Sequence, residues 1–443
     1  MQRADVIVIG AGLAGLSCAR DLALAGTDVL LVEARGRVGG RVESEVLADG
    51  RTVQLGGEIV GEVHHAYLGL VAELGLKLVP SYVSEPGETG FDLIGGVEIG
   101  ESWLQPDDVA SLERLEAELV RLARDLDPDD PWSHPDAVRL DRLSRGDLAR
   151  QVGCTPTAFR RMATQMASAA AGSLERTSLL GELRMIAAAG GKLPSDYAAW
   201  EALKVEGGSS VLVDALESAL HGRIRYDAPV AAIDVGRPCV VTLHGGEQLQ
   251  ADAVVSCAPV GPLRAIEISG VSDERLLSLR RQRQLRAAKA VVALDEPVWR
   301  RVECNGLIES EHETGGFWVQ GENTLSSLNG PEHIGYLEAA PDGVATRDLL
   351  ASLERVVGPV APVATLWRHW GMDPYTLGYI THWAPGDLTA VGPLHATHEP
   401  PFYVAGSDQW AAGYMEGAVA TGRAAARAVL GGEPIPLYPA AER

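Results

Sequence analysis

Apolar residues along this chain fall into short runs closed by glycine and longer stretches at helical spacing. Asp5–Ile9 predicts a strand, and GAGLAG follows at once. Ala14–Ala25 is apolar at helical spacing, and Val29–Val32 predicts a second strand ending at Glu33, so the chain opens on a strand–helix–strand unit. Residues 104–190 read mostly as helices (LERLEAELVRLARDL, FRRMATQMASAAAG) interrupted by DPDDPWSHPD, whereas 287–340 read as short strands with turns. Near the end, Tyr403–Ala405 predicts a strand, Gly406-Ser407 a tight turn and Gly417–Leu430 an alanine-rich helix. No fixed-period repeat or low-complexity tract is present.

One position breaks this pattern. In LRAAKAVVALDEPVWR (285–300), seven of the eight residues from Ala287 to Leu294 are apolar and the eighth is Lys289. Such a run predicts a strand buried on both faces. Lysine is rarely buried without a partner, because desolvating an ammonium costs several kcal/mol or lowers its pKa. Lys289 therefore either leaves an edge strand for solvent or faces something that solvates it.

Composition narrows the class. The chain has 443 residues, 46% hydrophobic and 5% aromatic, with 50 glycines. That fits a large α/β protein of two or three domains. A net charge of −22 argues against nucleic acid as a partner; it either reflects solubility alone or draws in cationic small molecules. No apolar stretch approaches the roughly 20 residues of a membrane helix, and neither MQRADVIVIGAG nor the tail LGGEPIPLYPAAER reads as a leader or anchor. Five scattered cysteines without a CxxC pair favour a reducing cytoplasm over disulfides, and no histidine–carboxylate cluster has metal spacing, so no metal is expected. His382, His395 and His398 are read as surface groups or as support behind a site.

The opening motif carries chemistry. Gly10 allows a tight turn, Gly12 lets backbone N–H groups approach a pyrophosphate, and Gly15 brings the helix close to the strand. Ala14 lies at the start of that helix, whose positive end faces the phosphates. Glu33, 21 residues after Gly12, suits the hydroxyls of an adenosine ribose. A dinucleotide is the expected ligand. Arg35-Gly-Arg-Val-Gly-Gly-Arg41 then offers guanidinium forks to the same phosphates or forms a solvated basic turn.

EARGRVGGR (33–41) resembles the EAR-x-RxGGR segment of the flavin-containing amine oxidase family, which includes monoamine, polyamine and L-amino acid oxidases. VQLGGEIVGEVHHAYLGLVAELGL (53–76), KVEGGSSVLVDALESALHGRIRYDAPVAAIDV (204–235), VVSCAPVGPL (254–263) and YVAGSDQWAAGYMEGAVATGRAAARAVL (403–430) resemble further segments of that family in order. The resemblance implies a Rossmann-type FAD-binding domain of the glutathione-reductase-like kind, interleaved with an α+β substrate domain. The FAD-binding parts would be 1–78, 203–286 and 387–443, and the substrate parts 79–202 and 287–386. It implies FAD held by Gly10, Gly12, Ala14, Gly15, Glu33, Arg35, Gly40 and Arg41. Gly56, Gly57, Glu58, Val230, Gly406, Ser407 and Met415 would complete that set, with Val230 beside the adenine. Glu58 is open to a second reading, as the cap of a turn. In this family a strand lysine followed by Trp-Arg, here Trp299-Arg300, holds a water against flavin N5; Lys289 would have that role. The tyrosine of GYMEG, Tyr414, would be one aromatic wall of an amine cage.

Two departures follow. Covalent members carry a flavin-linked cysteine and then a second cage tyrosine, where this chain has Tyr379 and Ile380. FAD is therefore expected to be non-covalent, and the other wall would fall to Tyr379 or Trp383. L-Amino acid oxidases of this kind place a carboxylate-clamping arginine soon after the LGG segment, but Leu55–Val60 contains none. An arginine from the other domain, Arg184 for example, would be needed.

The resemblance implies oxidation of a primary or secondary amine by hydride transfer to flavin N5, hydrolysis of the imine and reduction of O2 to H2O2. A homodimer is common in the family. Left open are an L-amino acid oxidase or decarboxylating monooxygenase, a C–C desaturase or isomerase, and a silent flavoprotein.

Overall fold

The computed structural model describes residues 2–81, 89–94, 97–100, 103–169, 171–311, 314–341, 343–434 and 436–438. Residue 435 and residues 439–443 of the polar tail lie outside the described residues.

An eight-stranded sheet carries the opening motif. Gln2–Ile9 lies between Val29–Val32 and Gln248–Ser256 and runs parallel to both. Phe402–Val404 pairs in parallel with the end of Gln248–Ser256, and Ile224–Arg225 extends the other side beyond Val29–Val32. Alternate residues of the first strand face opposite cores. Val6 and Val8 pack with Leu16, Leu212 and Val419, while Ile7 and Ile9 pack with Val241, Val254 and Phe402. Both faces are covered, which is why Val29–Val32 is apolar throughout rather than alternating.

Helix packing on this sheet is close enough to need glycine. A Cβ on Gly15 would lie 1.9 Å from the Gly10 carbonyl oxygen, and one on Gly422 would lie 2.3 Å from that of Ala14. The helices Leu13–Leu24 and Met415–Val429 therefore meet backbone to backbone beside the start of the first helix.

The second sheet has seven strands, with Ala288–Ala293 hydrogen-bonded between Thr324–Asn329 and Ala364–His369. All six residues of Ala288–Ala293 are buried, and Lys289 is only 3% exposed, so it does not reach solvent from an edge. Helices Pro331–Ala339 and Val344–Val357 cover this sheet. The first of them departs from the strands and turns expected up to residue 340; Pro331 starts it where a missing N–H costs nothing. A helical layer built on Leu115, Leu119, Met162 and Leu183 closes over Trp383. The loop DPDDPWSHPD contains one short 3-10 turn, Pro131–Ser133. Among the described residues no helix is long and apolar enough to cross a membrane, and all five cysteines are free thiols.

Glu416, 4% exposed, ties the last helix to the helix His65–Glu73. It accepts hydrogen bonds from the backbone N–H groups of Ala66 (3.0 Å) and Tyr67 (2.8 Å). Burial pushes its carboxyl up to about 7, against the pull of those two N–H groups. An acid whose pKa is raised by folding stabilises the fold below its unfolded value and loses that contribution as pH rises through the folded one. Relative to Glu416→Gln, the wild type should therefore lose up to about 3 kcal/mol between pH 4.5 and 7. The melting-temperature difference between the two proteins, measured across that range, checks this; a constant difference contradicts it.

Candidate functional site

A cavity of about 970 Å³ runs between the two sheets and the helical layer. Its nucleotide half starts where the first strand ends, at Ile9 and Gly10, and continues along Gly12, Leu13 and Ala14 at the N-terminus of the first helix. Gly39 and Gly40 face Gly12 there. The Gly39 N–H donates to the Ala11 carbonyl at 2.8 Å, and a Cβ on Gly40, whose φ is +58°, would come within 3.1 Å of the Gly12 Cα. Glu33 accepts from the Ala11 N–H (2.7 Å) and the Arg35 N–H (2.9 Å). Each of its oxygens keeps a lone pair for another donor. Val230 and His244 line the cavity beyond it.

The arginines of 35–41 are used largely within the protein. Arg35 pairs with Asp373, Arg37 with Glu43, and Arg41 donates to the Tyr379 carbonyl (2.7 Å) and Ser407 Oγ (2.8 Å). Arg35 and Arg41 line the cavity. Arg41 thereby fixes the segment of Tyr379 and the Gly406-Ser407 turn, both of which line it too.

At the other half, Gly56 and Gly57 run past Met415, whose sulfur would lie 2.7 Å from a Cβ on Gly57. Glu58 turns beneath them onto Lys289. Lys289 Nζ donates to Glu58 Oε2 at 2.6 Å and to the Gly56 carbonyl at 3.2 Å, and it lies 5.4 Å from the centre of the Trp318 ring. Glu58 also accepts from Gln320 Nε2 (3.1 Å), Ser326 Oγ (3.3 Å) and Trp318 Nε1 (3.3 Å). The pair is buried on both sides, and side-chain exposure is 4% for Lys289 and 3% for Glu58. The sequence left Lys289 to be solvated by a ligand and a water; the protein itself supplies its counter-charge. Glu58, read either as a neighbour of the ligand or as a turn cap, is that counter-charge.

Tyr414 starts the last helix and lines the cavity. Its ring centre lies 4.8 Å from that of His64 and 5.2 Å from that of Trp200, and its hydroxyl hydrogen-bonds Glu201. Burial, then the nearby Glu201 carboxylate, push the phenol well above its ordinary value. Burial holds His64 neutral, down at about 3. Ile380 packs against this corner, its Cβ 2.2 Å from where a Cβ on Gly413 would stand. Tyr379 lines the same wall with a buried hydroxyl that has no hydrogen-bond partner among the described residues. Trp383 touches the cavity but is mainly part of the helical core, edge-on to His395 at 5.1 Å.

All the expected site residues line this cavity except Gly15, which lies beneath the turn and sets helix packing. Arg184 is elsewhere, bonded to the Pro128 carbonyl and His395 and stacked over Trp132, so it clamps no substrate carboxylate here. His382, His395 and His398 are not surface groups, being partly or fully buried. The sequence did not single out Arg145, Glu182, Glu201, Glu309 or Trp318, which also line the cavity. Arg145 stands 3.0 Å from Glu182, although the two do not meet at hydrogen-bonding angles, and Glu309 is paired with Arg161. Among the described residues no group of three His, Cys, Asp or Glu could hold a metal ion.

FAD fits these residues. The Gly12–Gly40 apposition leaves room for a pyrophosphate where side chains would stand, Glu33 offers free lone pairs, and two helix N-termini open on the cavity. A model of the family described as flavin containing amine oxidoreductase matches residues 13–430. A protein of Mycobacterium tuberculosis named as flavin-containing monoamine oxidase AofH is 29% identical over 448 residues, covering 96% of each chain. Amine oxidase [flavin-containing] B of Sus scrofa is 27% identical over 462 residues, covering 97% of this chain and 86% of its own. In fold, the chain is similar to wild-type putrescine oxidase bound to putrescine (TM-score 0.87, 23% identity, covering 97% of this chain and 99% of that one). It is likewise similar to cyclohexylamine oxidase from Brevibacterium oxydans IH-35A (TM-score 0.85, 24% identity, covering 96% and 98%).

Removing one partner of a buried pair leaves an uncompensated charge, a loss of about 3–5 kcal/mol. Lys289→Met should therefore lower the melting temperature clearly more than Lys289→Met combined with Glu58→Gln. Equal losses contradict the pairing. Gly15→Ala must move the Gly10 turn, so it should purify with a lower flavin-to-protein ratio in its visible spectrum; an unchanged ratio contradicts the role given to that contact.

Proposed function

The chain belongs to the flavin-containing amine oxidoreductase family, and within it we propose an oxidase of primary or secondary amines that binds FAD without a covalent link. FAD supplies the hydride acceptor for the C–H next to nitrogen and the centre at which O2 is reduced to H2O2. Everything else falls to the chain. In this reading Gly10, Gly12, Ala14 and Gly40 take the pyrophosphate, and Glu33 takes the ribose, with Val230 beside the adenine. Gly56, Gly57, Gly406, Ser407 and Met415 border the flavin ring. Lys289, neutralised by Glu58, holds a water at the ring, and Tyr414 with Ile380 orients the amine. The FAD domain corresponds to 1–78, 203–286 and 387–443, and the substrate domain to 79–202 and 287–386.

The observation that carries this reading is one continuous cavity joining the glycine cradle to the Lys289–Glu58 pair and to Tyr414. Amines without an α-carboxylate are favoured because the arginines lining the cavity, Arg35, Arg41 and Arg145, all face carboxylates already. Tyr379 in place of a cysteine supports non-covalent FAD. A cytoplasmic dimer completes the proposal.

In air, the purified yellow protein with its amine should yield aldehyde and H2O2 in equal amounts. Aldehyde formed only with an added dye as electron acceptor would contradict the oxidase reading. Acid precipitation should release all the colour into the supernatant, and colour kept in the pellet would contradict the non-covalent assignment.

A further inference from the structure

Glu58, Glu182, Glu201 and Glu309 are the carboxylates that line the cavity away from its nucleotide half. Glu58 is paired with Lys289, Glu182 faces Arg145, and Glu309 is paired with Arg161. Glu201 has no cationic partner among the described residues. It closes the short helix Tyr197–Trp200, its backbone N–H donates to the Tyr197 carbonyl at 2.8 Å, and its side chain meets the Tyr414 hydroxyl. An unpaired carboxylate in such a place is costly unless a cation visits it.

An alkyl amine in water is an ammonium, with a pKa near that of lysine, about 10.4. Oxidation of its C–H by hydride transfer needs the nitrogen lone pair, so the proton must leave first. We propose that Glu201 is the catalytic base that receives the substrate ammonium and takes its proton. An N–H bond breaks and leaves its electron pair on nitrogen, while an O–H bond forms on the Glu201 carboxylate. No electron changes hands in this step. The carboxyl then gives the proton up to water, because hydride loss leaves an iminium cation that water hydrolyses to aldehyde and ammonium without a further proton. Tyr414 orients the acceptor by hydrogen-bonding it beside the cavity. This inference rests on the amine-oxidation reading.

The surroundings support a proton acceptor. Burial, and then the Glu58 carboxylate, raise the Glu201 carboxyl, while the Tyr414 hydrogen bond opposes them. That moves its proton affinity towards that of an amine. The other titratable groups facing this corner are Glu58 with its partner Lys289, Lys204, the phenols of Tyr414, Tyr379 and Tyr197, and His64. Burial keeps His64 neutral, and it keeps Tyr414 and Tyr379 protonated.

Anaerobic stopped-flow reduction of the flavin separates the possibilities. The probes are n-butylamine and a β-fluorinated butylamine, whose ammonium is more acidic. In the wild type the low-pH limb of the reduction rate should fall at one pH for both amines, because it belongs to Glu201. Glu201→Gln keeps an acceptor for Tyr414 but cannot take a proton. Its limb should move to each amine's own pKa, with the rate falling about tenfold per pH unit below it, and the fluorinated amine should be far less affected. A variant with the wild-type limb overturns the assignment, and so does a wild-type limb that tracks each amine. The wild-type comparison decides the matter even if the variant loses its flavin. If neither these amines nor any other reduces the wild-type flavin, the amine-oxidation reading falls and takes this proposal with it.

Discussion

Lys289 cannot sit in the middle of a buried strand without a counter-charge, and the fold around the cavity follows from how that charge is supplied. Glu58 comes from the segment after Thr52–Gln54, which pairs with Ser44–Val46 in a separate two-stranded sheet, while Lys289 belongs to the second sheet. The pair therefore ties that two-stranded sheet and its following segment to the second sheet. Gln320 reinforces it by exchanging hydrogen bonds with the Gln54 backbone at 2.8 Å in both directions, and Trp370 Nε1 donates to the Leu55 carbonyl at 2.9 Å. The Gly56-Gly57 stretch is thus pinned at both ends. A planar ring can lie against it only because it cannot relax inward. Burying the pair is not by itself stabilising; what it gives is a fixed floor for the cavity.

The same balance of charge orders the rest of the cavity. Arginines that could compete for an anionic substrate face protein carboxylates, and three of the four carboxylates away from the nucleotide half face cations. The remaining unbalanced group is Glu201, at the corner formed by Tyr414, Trp200 and His64. A wall that is apolar elsewhere favours the neutral form of an amine, and a single carboxylate gives the displaced proton somewhere to go. The chain's net charge of −22 draws cations towards the protein in general, whereas Glu201 acts at one point within it.

What could be read in the sequence was whatever the backbone demands. Gly10, Gly15 and Gly40 are required by positive φ or by chains touching, so the nucleotide cradle is visible in their spacing alone. Lys289 stood out as a violation of its surroundings. Its partner did not, because Glu58 is 231 residues away and nothing local distinguishes it from a turn cap. Arg184 shows the opposite failure. An arginine in a helical stretch looked available to a substrate, but tertiary packing directs it to the Pro128 carbonyl and a Trp132 face. Glu201 gave no signal at all. Its meaning lies in the absence of a neighbouring cation, which only the folded arrangement of the cavity wall reveals. The helix Pro331–Ala339 was missed for a related reason, since a short helix covering a sheet carries too few turns to show a clear period.

The central claim, that this cavity brings an amine to a bound flavin, is tested most directly by titrating the purified protein with amines, diamines and amino acids under anaerobic conditions while following the visible flavin absorbance. The account predicts that amines lacking an α-carboxylate bleach the flavin with a stoichiometry of one and that amino acids do not. A flavin that dithionite reduces but that no amine bleaches would contradict it.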